Sequence, residues 1–265
     1  MVNVITAKNL VKIYKDTTAV NNISFEVEEG SLFAFLGPNG AGKSTTIKML
    51  TTLIKPSSGE LTLNGYDVVK NPLDVRRSFG IVFQDPSLDD ELTAYENMQL
   101  HAVLYSLPKK EYIDRVEELL TLVELWDRRD HKVKTYSGGM KRRLEIARGL
   151  LHHPKILFLD EPTLGLDTQT RNLLWDYVKK LNKKENMTIF FSTHYLEEAE
   201  EVANHIAIID HGKIVARGTS KELEKLTNTK SLEDAYLKLT GKEIRDEEVG
   251  SNDRMKMRFR ARGGR

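Results

Sequence analysis

An α/β fold built on a mainly parallel sheet is what this sequence predicts, and three observations predict it. Short, wholly apolar segments recur between helical stretches: LFAFL at 32–36, ILFL at 156–159, IFF at 189–191 and IAII at 206–209. Such runs suit strands buried on both faces, the environment of a parallel sheet covered by helices. Directly after the first stands GPNGAGKS at 37–44, which fits G-x-x-x-x-G-K-[ST] in the strand, loop and helix setting that separates a phosphate loop from a chance match. Third, no uninterrupted apolar run exceeds Leu32 to Leu36, whereas a membrane-spanning helix needs roughly 20 residues.

Taken in order, the first third is β-rich: Ile5 to Tyr14, Ile23 to Val27 and Leu32 to Leu36, parted by polar turns such as Glu28-Glu29-Gly30. Thr46 to Leu53 reads as a helix, with Ile47, Leu50 and Ile54 at i, i+3 and i+7, and Pro56 to Gly59 stops it. LTLNGYDV at 61–68 is a turn-linked strand, and FGIVFQ at 79–84 is a short apolar one. From Thr93 strand signals vanish, and Tyr112 to Leu125 carries Ile113, Val116, Leu119, Leu120 and Val123 at helical spacing. KILFLD at 155–160 opens a second strand and helix series. It continues through Leu173, Leu174, Tyr177, Val178 and Leu181, then through TIFFSTH and HIAIID. Beyond Leu239 the pattern decays into a charged stretch, and Arg254 to Arg265 holds six basic residues and no acid.

Composition narrows the function classes. The 265 residues make one large domain or two small ones at about 150 each. Forty Lys and Arg against 39 Asp and Glu leave a formal charge of +1, so no global field favours nucleic acid or an acidic membrane, and charge-driven function must be local. The absence of cysteine excludes disulfides, thiol catalysis and Cys-ligated zinc. The N-terminal MVNVITAKNL lacks the features of a secretory signal, which predicts a cytosolic compartment.

The chemistry concentrates in two places. In the loop, glycines let backbone N–H groups turn in around a phosphate and the following helix adds its positive end; Lys43 neutralises β and γ oxygens, and Ser44 is placed to ligate magnesium. Gly37, Pro38, Asn39, Gly40, Ala41, Gly42 and Thr45 complete the cradle. Asp160 and Glu161 end an apolar strand, so they emerge at the carboxyl edge of the sheet where ligands of open α/β sheets bind. Asp160 is a magnesium ligand candidate, and Glu161 can take a proton from an attacking water. The neighbouring His152 and His153 lack a third ligand at metal spacing, and Asn182 to Glu185 misses the guanine-reading pattern because Glu replaces Asp.

The order of GPNGAGKST, Gln84 in IVFQ, YSGGMKRRLEIARGLL, ILFLDEP, LGLD at 164–167 and STH at 192–194 resembles the ATP-binding subunit of ABC (ATP-binding cassette) transporters over roughly residues 4 to 240. The resemblance implies that Ser137, Gly138 and Gly139 face the ATP of a second subunit in a head-to-tail dimer holding two Mg-ATP. It implies that His194 touches the γ-phosphate, that Gln84 senses Mg²⁺ and water there and relays nucleotide state to a membrane partner, that Tyr14 stacks on adenine, and that Asp167 couples the two sites. Met140 stands where glutamine is commoner. YSGGM and the SLEDAYLKLTG segment resemble the drug, polysaccharide and lipid-linked exporter branch, including daunorubicin-resistance ATPase subunits.

The expectation is therefore an α/β chain: a P-loop NTPase core with a mainly parallel sheet, an antiparallel β subdomain and an inserted α-helical subdomain. Residues 1–240 would form the ATPase domain, with the helical insertion at about 90–150, and 241–265 a charged tail. The tail is read either as a solubilising segment or as one touching anionic lipid. Catalysis would rest on Glu161, His194, Lys43 and Gln84, with Ser44, Gln84 and Asp160 around the metal. The partners implied are a separate integral-membrane permease subunit and a second ATPase subunit, without nucleic acid, at the cytoplasmic face of the membrane. The alternative is a soluble ATPase of the same type acting on ribosomes or chromosomes.

Overall fold

The computed structural model describes residues 2–241; the basic tail singled out above lies outside the described residues. Among the described residues two sheets organise the fold. Strands β1 (Asn3–Tyr14) and β2 (Thr17–Glu28) form an antiparallel hairpin, and β1 also pairs with β4 (Ser58–Leu63), which turns through Asn64-Gly65 into β5 (Tyr66–Asp67). Asn64 and Gly65 both have positive φ, the geometry a tight hairpin between right-twisted strands demands.

The second sheet has six strands in the order β10-β9-β3-β8-β7-β6. Strands β3 (Leu32–Leu36), β6 (Phe79–Val82), β7 (Ile156–Asp160), β8 (Thr188–Thr193) and β9 (His205–Asp210) are mutually parallel, and β10 (Lys213–Gly218) adds antiparallel to β9. Every residue of β3, β7 and β8 is buried, as their apolar runs require. Side chains alternate across a strand, so the sheet divides the core in two. Leu32, Ala34 and Leu36 join Leu157, Leu159, Ile189 and Phe191 on the side packed by helices. Phe33 and Phe35 join Phe158, Phe190, Ile47 and the hairpin residues Ile5, Ile23 and Phe25 on the other.

The first helix, α1, spans Lys43–Leu50 rather than the expected Thr46 to Leu53. It starts as soon as the loop releases the chain and closes at Thr51; Leu53 and Ile54 both donate backward to Lys48 O, and Thr52 has φ 62. Ile54 still packs on the core, which produced the longer periodic pattern. A short α2 (Pro72–Ser78) precedes β6. The helical stretch is α3 (Ala94–Leu104), opened by a Thr93/Glu96 capping box, then α4 (Lys109–Leu122) and α5 (Gly138–Gly149). Helix α5 ends hard against the sheet: a Cβ on Gly80 of β6 would stand 2.1 Å from Gly149 O, so the two backbones touch. The rest is α6 (Thr168–Glu185), α7 (Leu196–Val202), α8 (Ser220–Thr227) and α9 (Leu232–Thr240). Among the described residues no helix is long and apolar enough to cross a membrane.

Candidate active site

Parallel strands β3, β7 and β8 end side by side, so the segments leaving them share one sheet edge. From β3 the chain enters the glycine loop, whose Gly37 N–H donates to Thr193 O at 3.2 Å. Gly42 has φ 107, and a Cβ there would sit 2.5 Å from Ala19 O. Only glycine lets the loop turn under the hairpin and enter α1 at once. Lys43, 4% exposed, folds back along the loop and donates from Nζ to Gly37 O at 2.8 Å and Pro38 O at 3.1 Å.

The end of β7 supplies the acids. Asp160 Oδ1 accepts from Ser44 Oγ at 3.1 Å and from Ser192 Oγ at 2.6 Å. Ser192 Oγ in turn accepts from Glu161 N at 3.0 Å. Glu161 has φ 46, a left-handed conformation costly for a non-glycine residue, and the turn swings its carboxylate out of the strand direction taken by Asp160. Its Oε1 lies 3.0 Å from Lys43 Nζ, and its Oε2 lies 3.3 Å from His194 Nδ1. Burial pushes the Glu161 carboxyl up, but the His194 contact and the charge and hydrogen bond of Lys43 outweigh it and hold the group at about 2.

A cleft of about 430 Å³ opens above the loop, lined by Asn39, Gly40, Gly42, Lys43, Ser44, Thr45, Gln84 and Glu161 together with Ala19 and Leu164. Eight expected residues thus meet around one cavity, and Asp160 sits behind Ser44. His194 reaches the site through Glu161, whereas Tyr14, Ser137, Gly138, Gly139 and Asp167 stand outside the cleft lining. Tyr14 is 43% exposed at the β1 hairpin end, with the Lys12 ammonium 5.1 Å from its ring centre. Ser137 is the N-cap of α5 and accepts from Met140 N at 3.3 Å; Gly138 and Gly139 open that helix. Asp167 caps α6, accepting from Thr170 N at 2.9 Å and Thr170 Oγ1 at 2.8 Å, bonds that lower its carboxyl pKa. The two caps adjoin, since a Cβ on Gly139 would lie 2.4 Å from Thr170 Cγ2.

Sequence reasoning missed Ser192, whose register position opposite Asp160 needs the pairing of β7 with β8. It also missed Glu198, 4% exposed on α7. Glu198 accepts from Thr193 Oγ1 at 2.8 Å and from Thr163 Oγ1, tying the segment before His194 to the one after Glu161. Arg171 of α6 lies 3.8 Å from Glu198 and covers the Tyr195 ring at 4.4 Å, and that ring is 4.1 Å from His194.

Chemically, the arrangement offers a cation and backbone donors for phosphate, a carboxylate against an imidazole for a proton, and oxygen donors for a hard cation. Comparison with known proteins agrees in kind. The ABC transporter family profile matches residues 20–164. The daunorubicin/doxorubicin resistance ATP-binding protein DrrA of Streptomyces peucetius is 44% identical over 220 residues, covering 83% of this chain and 66% of that protein. The linearmycin resistance ATP-binding protein LnrL of Bacillus subtilis is 43% identical over 217 residues, covering 82% and 70%. The chain thus spans about two thirds of these relatives' length. A solved dimeric ATP-binding cassette in a post-hydrolysis state, bound to ADP and Pi, superposes with a TM-score of 0.73 at 30% identity, covering 81% of this chain and 98% of that one.

Proposed function

Because this chain belongs to the ABC transporter family, among its ATP-binding, ATP-hydrolysing subunits, we propose that it is the motor of an exporter, driving a separate membrane subunit from the cytoplasmic face as a head-to-tail dimer. The observation that carries the chemistry is Glu161 held between Lys43 and His194, with Lys43 and Glu161 both lining the glycine-loop cleft. The loop amides and Lys43 bind and stabilise the γ-phosphate, where charge is spread over three oxygens in the transition state. Glu161 takes the proton of the attacking water, and His194 orients Glu161 and the γ-phosphate from the opposite side.

The donor set fits Mg²⁺. The Ser44 hydroxyl and Asp160 carboxylate are adjacent and Gln84 faces the same cleft, all oxygen donors of the kind a hard cation selects. Bound there, the ion would neutralise charge on the β and γ oxygens. On this reading Ser137, Gly138, Gly139 and Asp167 act across the dimer, and Tyr14 stacks on the base.

Export is supported by the drug-resistance relatives, and dimerisation by the dimeric cassette. The test is affinity capture of the tagged chain from gently solubilised host membranes, followed by phosphate release with and without the captured partner. A stoichiometric multi-spanning protein that stimulates turnover is the expected result. Reproducible capture without one overturns the exporter assignment.

A further inference from the structure

The segment that carries Gln84 is strapped to the helix that Ser137 caps. Arg142, Glu145 and Arg148 stand at three-residue spacing on α5, hence on neighbouring positions of one face. Arg142 Nη1 donates to Phe83 O, the residue before Gln84. Glu145 Oε1 accepts from Ser87 N at 2.7 Å, and Arg148 Nη1 donates to Ser87 O at 2.7 Å. Both ends of the 83–87 segment are therefore held by side chains of α5.

Arg142 also reaches the other half of the site. Its Nε donates to Pro162 O at 2.7 Å, and its Nη2 to Asp160 O at 3.1 Å and Glu161 O at 3.2 Å. Its Nη1 bonds Glu145 Oε2 at 3.1 Å, and the pair is buried, with Arg142 7% and Glu145 1% exposed. A buried ion pair is by itself a poor source of stability, because desolvation offsets attraction. What distinguishes this one is its set of acceptors: three consecutive carbonyls that include both acidic residues, and a fourth next to Gln84. A planar guanidinium with five fixed donors can serve them together, and a lysine cannot.

We propose that the Arg142–Glu145 pair positions the catalytic groups, locking the Gln84 segment and the backbone of Asp160 and Glu161 into one frame with the Ser137 helix. Arg142 and Glu145 touch no reacting atom. They act through Gln84 and Glu161, and the inference rests on the roles proposed for those two residues.

The test uses the full chain with Arg142→Lys and, as a second variant, Glu145→Gln, which keeps the volume while breaking the ion pair. Titration calorimetry with ATP counts folded, binding-competent sites, so turnover is expressed per bound nucleotide. Lys43 and its loop are untouched, so one nucleotide per chain and an affinity within about threefold of the parent are expected. Turnover per site falls at least about tenfold, the scale on which small misplacements act. Hydrogen exchange at the Ser87 amide accelerates. Because Arg142 acts through Gln84, adding Arg142→Lys to Gln84→Ala costs much less than the product of the single effects.

Parental turnover per site in both variants overturns the proposal, as does a multiplicative double variant. A loss of turnover that merely follows lost nucleotide stoichiometry, with exchange at Ser87 unchanged, overturns it too and leaves a structural pair. If Gln84→Ala alone keeps parental turnover, the role of Gln84 fails, and this inference falls with it. If Gln84→Ala is slow while Arg142→Lys is not, only the inference fails.

Discussion

Lys43 Nζ lies 3.0 Å from Glu161 Oε1, and the two side chains are 4% and 8% exposed. The phosphate-loop cation and the strand-end carboxylate are thus each other's counter-ion. A γ-phosphate offers Lys43 more negative charge than a carboxylate does, so in the proposed reaction the substrate competes with Glu161 for the ammonium. As Lys43 turns to phosphate, Glu161 loses one of the contacts that hold its pKa near 2. It becomes a stronger base at the moment a base is needed.

Replacing the carboxylate separates binding from turnover. Glu161→Gln should retain ATP affinity and lose about 10²-fold or more in phosphate release, the usual contribution of a positioned base. Light scattering in Mg-ATP should then find an accumulated dimer. A persistent monomer counts against the two-site sandwich.

Removing the cation has the opposite signature. Lys43→Ala should abolish measurable nucleotide binding by calorimetry. It also leaves Glu161 buried with His194 as its remaining partner, so thermal stability should fall, by up to about 3 kcal/mol for a broken buried pair. Intact affinity would contradict the assignment of the loop.

Acid should weaken the fold in two stages. His101 and His152 are held near 3 and 4, in each case chiefly by burial, against an ordinary value of 6.5. Unfolding lets both take protons, so stability is complete above about pH 6.5 and declines as pH falls toward those values. Denaturant titrations at pH 7.5, 6 and 5 read the slope, and His101→Phe, which keeps the ring beside Tyr105, should lower it by about one proton. Glu161 acts later: its contribution is present above 4.5 and is lost as pH drops toward 2, so Glu161→Gln flattens that lower window.

The contact between the two caps gives a rescue experiment. Gly139→Ala puts a methyl 2.4 Å from Thr170 Cγ2, and Thr170 is stiff because its hydroxyl is bonded to Asp167. The shift should loosen the α6 cap at a cost of about 1 kcal/mol and reduce ATPase activity. Thr170→Ser keeps the hydroxyl and removes the obstructing methyl, so the double variant should recover both in thermal melts and phosphate release.

What was legible in the sequence was what is local. Lys43 and Ser44 follow an apolar strand, and Asp160 and Glu161 end another, so strand ends alone put all four at one sheet edge. Ser192 was not legible because β7 and β8 are parallel and distant in sequence, and its place opposite Asp160 exists only once they pair. In the sequence Arg142 and Glu145 are simply two of the charges that follow SGG, and the acceptors that Arg142 reaches, Phe83 O and Pro162 O, are brought to it only by the fold. Strand β10 was missed because its hairpin turns on His211-Gly212, both at positive φ, without the usual Asn-Gly signal. Helices α8 and α9 each carry a capping signal, at Thr219 and Ser231, that was there to be read.

The contact of Gly80 with Gly149 makes a fulcrum. Helix α5 cannot move closer to β6 at that end without a backbone clash, so a tilt of the helix would pivot there. Twelve residues give α5 a length of about 18 Å. A tilt of about 10° therefore carries the Ser137 end through about 3 Å, one hydrogen-bond length, while the sheet end scarcely moves. Pivoted at Gly149, the helix would act as a lever whose free end carries the Ser137 hydroxyl and two glycines.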